Sequence, residues 1–175
     1  MSWQLSCLPN RLKDFTFNLI YNKLAVRNRL SHMVIDNTID RACTFCTIAK
    51  QLPAPEETFT HLFWDCTTAR ILLNKLITNF IPELTTLGDN ELKSFMLTGI
   101  APTRYPTITH ATRVTYLYLI WDMHQKNRIW QWETFKINLV FELKKIASAS
   151  SCQKLGLNTG YHLSAHWDDI CKETW

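Results

Sequence analysis

Apolar residues recur at helical spacing along most of this chain. Leu12, Phe15, Leu19 and Ile20, continued by Leu24 and Leu30, predict one long helix over Arg11 to Met33, with Pro9 near its first turn. Ala69, Leu72, Leu73, Leu76 and Phe80 predict a second helix, which Pro82 ends. Gly88-Asp89-Asn90 introduces a shorter one, Glu91 to Gly99. Val114, Leu117 and Trp121, with His124 and Arg128 continuing the face, predict a helix from Ala111 to Trp130. Leu139, Val140, Leu143, Ile146 and Ala147 predict another from Glu133 to Ser148. No long alternating strand pattern, internal repeat or low-complexity tract interrupts them, so the expected fold class is all-α. The segment Ile100 to Thr109, with Pro102 and Pro106, is the best internal boundary. It divides residues 1–100 from residues 101–175, and the two parts are expected to pack as one unit.

Between the first two helices the pattern turns irregular. A short β-hairpin around Cys43–Cys46 fits the segment, and Pro53-Ala54-Pro55-Glu56-Glu57 reads as a stiff exposed turn. The same region concentrates metal-type side chains: Cys43-Thr44-Phe45-Cys46, then His61, then Cys66. Three thiolates and one imidazole form the closed donor set that a structural zinc ion prefers. Cys-x-x-Cys aims two sulfurs at one point, and a fourteen-residue loop from Thr47 to Thr60 brings in the His/Cys pair. On a regular helix His61 and Cys66 would diverge by about 140°. They converge if His61 precedes a helix that starts near Cys66, with a threonine N-cap in Thr67-Thr68. The alternative is a set of unrelated free cysteines beside a helix-capping histidine. Two closely spaced ligand pairs favour metal, and a closed thiolate-rich set favours a structural zinc over copper or iron. Arg41 and Lys50 could offset the charge of such a centre.

The bulk numbers limit what else the chain can be. Its 175 residues suffice for one well-buried domain, or for a small zinc module joined to a helical one. With 46% hydrophobic and 19% charged residues it is a globular composition rather than a disordered one. Four glycines argue against a Gly-rich phosphate loop or a turn-dense β-sandwich. The net charge of +4 lies wholly in residues 1–50, where seven Lys/Arg face three Asp. An electrostatic partner should therefore meet the N-terminal third. Arg11, Asn18, Asn22 and Arg29 draw a polar stripe along the first predicted helix, which is either a solvated face or one that tracks phosphates.

Met1-Ser2-Trp3-Gln4-Leu5 lacks a basic segment followed by an apolar run, and no stretch is apolar enough to span a bilayer. Secretion and membrane insertion are not expected, and reduced Cys-x-x-Cys thiols fit a cytoplasmic or nuclear setting. Other chemistry is weaker. Cys152, His162, His166 and Cys171 could make a second metal site, but their spacing is loose. Asp36, Asp40 and Glu57 are the only acids to suggest for a cryptic nuclease, and adjacent Glu56-Glu57 and Asp168-Asp169 point apart. His32, His110 and His124 sit singly within helical patterns and read as packed or solvent-facing. No active site is legible, and no small-molecule substrate is expected.

The run Leu8-Pro9-Asn10-Arg11-Leu12-Lys13-Asp14-Phe15-Thr16-Phe17-Asn18-Leu19, then Leu30-Ser31-His32, Cys43-x2-Cys46 and Glu57-Thr58-Phe59-Thr60-His61-Leu62-Phe63-Trp64-Asp65-Cys66, carries a family resemblance. It resembles the region that follows the polymerase in non-LTR (LINE-type) retrotransposon reverse transcriptases, over roughly residues 8–80. The resemblance implies that Cys43, Cys46, His61 and Cys66 bind Zn²⁺, and that Phe63 and Trp64 fill the hydrophobic positions between His and Cys. It implies a nucleic-acid-binding accessory domain that contacts template RNA or target DNA beside an adjoining reverse transcriptase. Arg11, Lys13, Lys23, Arg27 and Arg29 are the expected phosphate contacts, with Trp64 as a stacking candidate. The alternative is a structural or protein-interaction module that packs against the polymerase. The paired-aspartate polymerase motif and the Pro-Asp nuclease motif are both missing, so the chain is not expected to be an enzyme by itself.

Overall fold

The computed structural model describes residues 8–31, 40–100 and 107–148. Of these, 73% are helical and none forms a strand, so the architecture is all-α. Seven α-helices follow one another: α1 (Asn10–Ile20), α2 (Arg27–Ser31), α3 (Thr44–Ile48), α4 (Thr67–Phe80), α5 (Asp89–Thr98), α6 (Thr107–Gln125) and α7 (Trp132–Ser148). A π turn, His61–Asp65, precedes α4, and a 3₁₀ turn, Pro82–Thr86, follows it.

The long first helix expected from periodicity is broken. Asn22 sits in the left-handed region at φ 49°, and the chain closes a Schellman turn there. The Lys23 N–H donates to the Asn18 carbonyl at 2.7 Å and the Asn22 N–H to Leu19 at 3.1 Å. Asparagine tolerates this backbone where most side chains do not. The turn lets Leu24 and Val26, two residues apart, both enter the core from a non-helical segment, where the Val26 N–H donates to the Leu24 carbonyl at 3.0 Å. On a helix they would point to opposite sides. The expected stripe of Arg11, Asn18, Asn22 and Arg29 is thereby dismantled. Arg11 pairs with Glu142 on α7, and Arg29 donates to the Asn22 carbonyl.

The same left-handed stop recurs at Asn127, φ 50°, which ends α6 and leaves Arg128 beyond the helix rather than on its apolar face. It recurs at Lys50, φ 57°, after α3. No hairpin forms at the first cysteine pair. Cys43 is followed at once by α3, and the only pairing there is an isolated antiparallel bridge between Ala42 and Glu56.

One core runs through all of this. Phe15 of α1, Phe45 of α3, Phe63 of the π turn and Leu73 of α4 share it with Tyr116 of α6 and Leu139 of α7. The Tyr116 hydroxyl, fully buried, donates to the Ala69 carbonyl at 2.8 Å and ties α6 to α4. Arg113 is buried too, and its Nε donates to the Met96 carbonyl at 2.8 Å. It thus places a cation at the C-terminal end of α5, where the helix dipole favours one. Burial lowers its pKa to about 10.

Candidate metal centre

Two local devices deliver the four metal-type side chains, one for each pair. Cys43 is the N-cap residue of α3 and Cys46 lies one turn later, so both thiols face the same way. His61 opens the π turn, and Cys66 closes it while serving as the N-cap of α4. The Cys66 N–H donates to the His61 carbonyl at 2.7 Å, an i→i+5 bond. That wider ring brings Cys66 back beneath His61, where an α-turn would have swung it away. Cys66, rather than Thr67 or Thr68, is therefore the cap.

The ligand atoms converge. All four lie within 4.8 Å of one another and all four residues are buried. The Cys66 sulfur is 4.0 Å from Cys43 and 3.9 Å from Cys46, and the Cys46 sulfur is 3.4 Å from His61 Nε2. A tetrahedral ion with metal–sulfur bonds of about 2.3 Å and a metal–nitrogen bond of about 2.0 Å requires sulfur pairs about 3.8 Å apart and sulfur–nitrogen pairs about 3.5 Å apart. Those three separations are close to what a tetrahedral ion requires, so the donor set can hold a metal ion, and the Cys66 sulfur is too far from either partner for a disulfide.

Thiol electrostatics favour the same use. The hydrogen bond from Cys43 pulls the Cys66 thiol down to about 4, helped by His61 and by the Ala69 and Thr68 N–H groups, against the effect of burial. A thiolate at this position also meets the positive end of the α4 dipole. Cys43 is pushed far up, first by its bond to Cys66 and then by burial, and Cys46 is pushed up by burial first. Three sulfurs this close share one negative charge readily and three only when a cation joins them.

The surroundings hold residues that sequence reasoning placed elsewhere. Glu57, expected in an exposed turn, is 0% exposed. Its carboxylate accepts the Arg27 N–H at 2.9 Å and the Thr44 N–H at 3.2 Å, and lies 2.7 Å from His124 Nε2. Burial would raise its pKa, but the His124 hydrogen bond and charge, with the two backbone donors, outweigh burial and hold it below the usual value. His124 is enclosed by Phe45, edge-on at 6.3 Å, and by Trp121, stacked at 5.1 Å. A buried carboxylate thus ties α2, the Cys-x-x-Cys turn and α6 together. The legible signal was that His124 continues the apolar face of α6. Nothing in sequence pairs it with Glu57.

The remaining predicted residues scatter. Trp64 is 3% exposed, its ring beneath the Arg70 guanidinium at 4.1 Å, so burial removes it as a stacking surface. Glu57 is occupied as described and Asp40 is exposed, its carboxylate accepting the Ala42 N–H, so the two form no acidic cluster. Arg41 faces Glu56 at 3.7 Å, and Lys50 is exposed. Lys13 and Arg27 are half-buried and Lys23 is exposed. Asp36, Cys152, His162, His166 and Cys171 lie outside the described residues. Among the described residues, no helix is long and apolar enough to cross a membrane.

The class that fold and site define is an all-α protein built around a buried Cys₃His cluster. Comparison with protein-family models, with curated proteins and with solved structures returns no match to this chain.

Proposed function

We propose that the chain is a zinc-stabilised nucleic-acid-binding module, not an enzyme, that works beside a non-LTR reverse transcriptase. The Cys₃His donors with near-tetrahedral spacing support Zn²⁺, which has no redox role and needs no open position here. When bound, the ion supplies folding energy rather than reactivity. The observation that carries the nucleic-acid reading is the state of the N-terminal cations. Lys13 and the side-chain cations of Lys23, Arg27 and Arg29 meet no carboxylate within ion-pair distance among the described residues. Three of them, Lys23, Arg27 and Arg29, follow one another around the α1–α2 corner. Arg11, paired with Glu142, contributes less.

Anisotropy of labelled RNA and DNA, titrated with zinc-loaded protein across a salt series, tests this. Affinity should fall by about 0.7–0.9 log units per log unit of salt for each phosphate neutralised. A Lys23→Glu/Arg27→Glu/Arg29→Glu variant should lose most of the binding. Salt-insensitive binding, or equal binding by that variant, would overturn the reading. A second reading, a module that packs against a partner protein, has its own support. A groove of about 530 Å³ is lined by Ile71, Ile129, Trp130 and Trp132.

A further inference from the structure

The α1–α2 corner carries more than charge. Phe17 of α1 and Tyr21, the C-cap residue one turn later, are 50% and 60% exposed, and among the described aromatic residues only Phe141 is comparably open. Their ring centroids lie 4.5 Å apart at 45°, so they form one open aromatic ledge. Lys23 Nζ stands over both, 5.2 Å from the Phe17 centroid and 5.9 Å from Tyr21. Tyr21 is also a wall of a groove of about 610 Å³, whose other walls include Asn22, Asn28, Arg29, Thr58 and Phe59. The groove is therefore lined by aromatic rings, amides and a guanidinium, and Tyr21 is the ring it shares with the ledge.

We propose that this ledge and groove form a single-strand site, in which a nucleobase stacks on Phe17 and Tyr21 while Lys23 and Arg29 meet the flanking phosphates. The inference rests on the nucleic-acid reading above and narrows it. Bases within a duplex have both faces covered by their neighbours, so an aromatic ledge rewards only unpaired nucleotides. Stacking tolerates any base, because every base has a π-face. Arginine and amide side chains lining the groove are the types that bond phosphates and base edges.

The metal centre supports this face directly. The Thr58 hydroxyl, on the groove wall, accepts the His61 N–H at 3.0 Å. The Asn28 N–H donates to the Glu57 carbonyl at 3.2 Å, and the Asn28 amide donates to Glu56 at 2.6 Å. The loop that holds the ligands thus also holds the groove.

The test uses the zinc-loaded 175-residue chain, a short labelled oligo-uridine and a hairpin duplex of matched length. Because both rings are exposed, Phe17→Ala/Tyr21→Ala should fold as the wild type does, which circular dichroism checks. It should lose about tenfold or more in single-strand affinity, the effect of roughly one stacked base, with the salt slope and duplex affinity unchanged. Phe17→Tyr, which keeps the ring, should retain binding. Equal single-strand affinity in the double-alanine variant overturns the proposal. If charge reversal at Lys23, Arg27 and Arg29 still abolishes binding in that case, the broader reading stands and only the stacking site falls. Failure of the wild type to bind either nucleic acid overturns both. Self-association seen by sedimentation velocity and lost in the double-alanine variant, with nucleic-acid binding intact, would assign the ledge to a protein partner and overturn the proposal.

Discussion

The Glu57–His124 pair gives the sharpest test of how the core is held. His124→Ala removes an imidazole 2.7 Å from a carboxylate that has no contact with solvent. The anion left behind keeps two backbone donors, Arg27 at 2.9 Å and Thr44 at 3.2 Å, and loses its third partner. Deleting one member of a buried pair costs about 3–5 kcal/mol, because the other charge is left uncompensated. Part of that loss is packing, since the imidazole also fills the space between Phe45 and Trp121. Glu57→Gln keeps the shape, but its amide offers one acceptor oxygen where the carboxylate offered two. One buried partner is then orphaned, at about 1–3 kcal/mol. The double variant has no buried anion to strand, so its cost should fall short of the sum by about 1–3 kcal/mol. Urea unfolding of all four proteins at saturating zinc, with metal content checked, measures this. Additivity within about 0.5 kcal/mol would refute the argument that charge, rather than packing, dominates the pair.

Other consequences follow from the same structure. Purified protein should contain one zinc ion per chain, and chelation should abolish the cooperative thermal transition rather than trim it, because binding energy is folding energy here; circular dichroism with metal analysis checks both. Gly99 ends α5 at φ 78°, and a Cβ there would lie 3.2 Å from Arg113 Nη1, so Gly99→Ala should lower stability by about 1–2 kcal/mol in the same urea assay. The Glu57 carboxyl titrates below its ordinary 4.5 in the folded protein, so it adds stability that is present above that pH and lost as the pH falls through the folded value. The acid limb of a stability–pH profile should therefore be shallower in Glu57→Gln than in the wild type, and identical limbs would remove Glu57 from the explanation.

Much was legible in the chain because local patterns dictate it. Helical spacing located α4, α5 and α7 to within about two residues and α6 with its ends four and five residues off, and ligand spacing alone picked out Cys43, Cys46, His61 and Cys66. The π turn left a fainter trace: His61, Leu62, Phe63 and Trp64 are four consecutive buried residues, more than one face of an α-turn can hide. The break in the first helix left only Asn22, a residue that permits a left-handed turn without requiring one.

What the sequence determined by itself, then, was the class of structure and the identity of the metal-type donors, since periodicity and short spacing are properties of neighbours in the chain. What only the tertiary structure decided was everything that depends on distant partners. Glu57 and His124 lie 67 residues apart and meet because α6 packs over the ligand loop. Arg11 is spent on Glu142, 131 residues away. Trp64 is buried under Arg70, while Phe17 and Tyr21, apolar by composition, are left outside. Burial is set by which surfaces the folded chain brings together, and no local pattern records that choice.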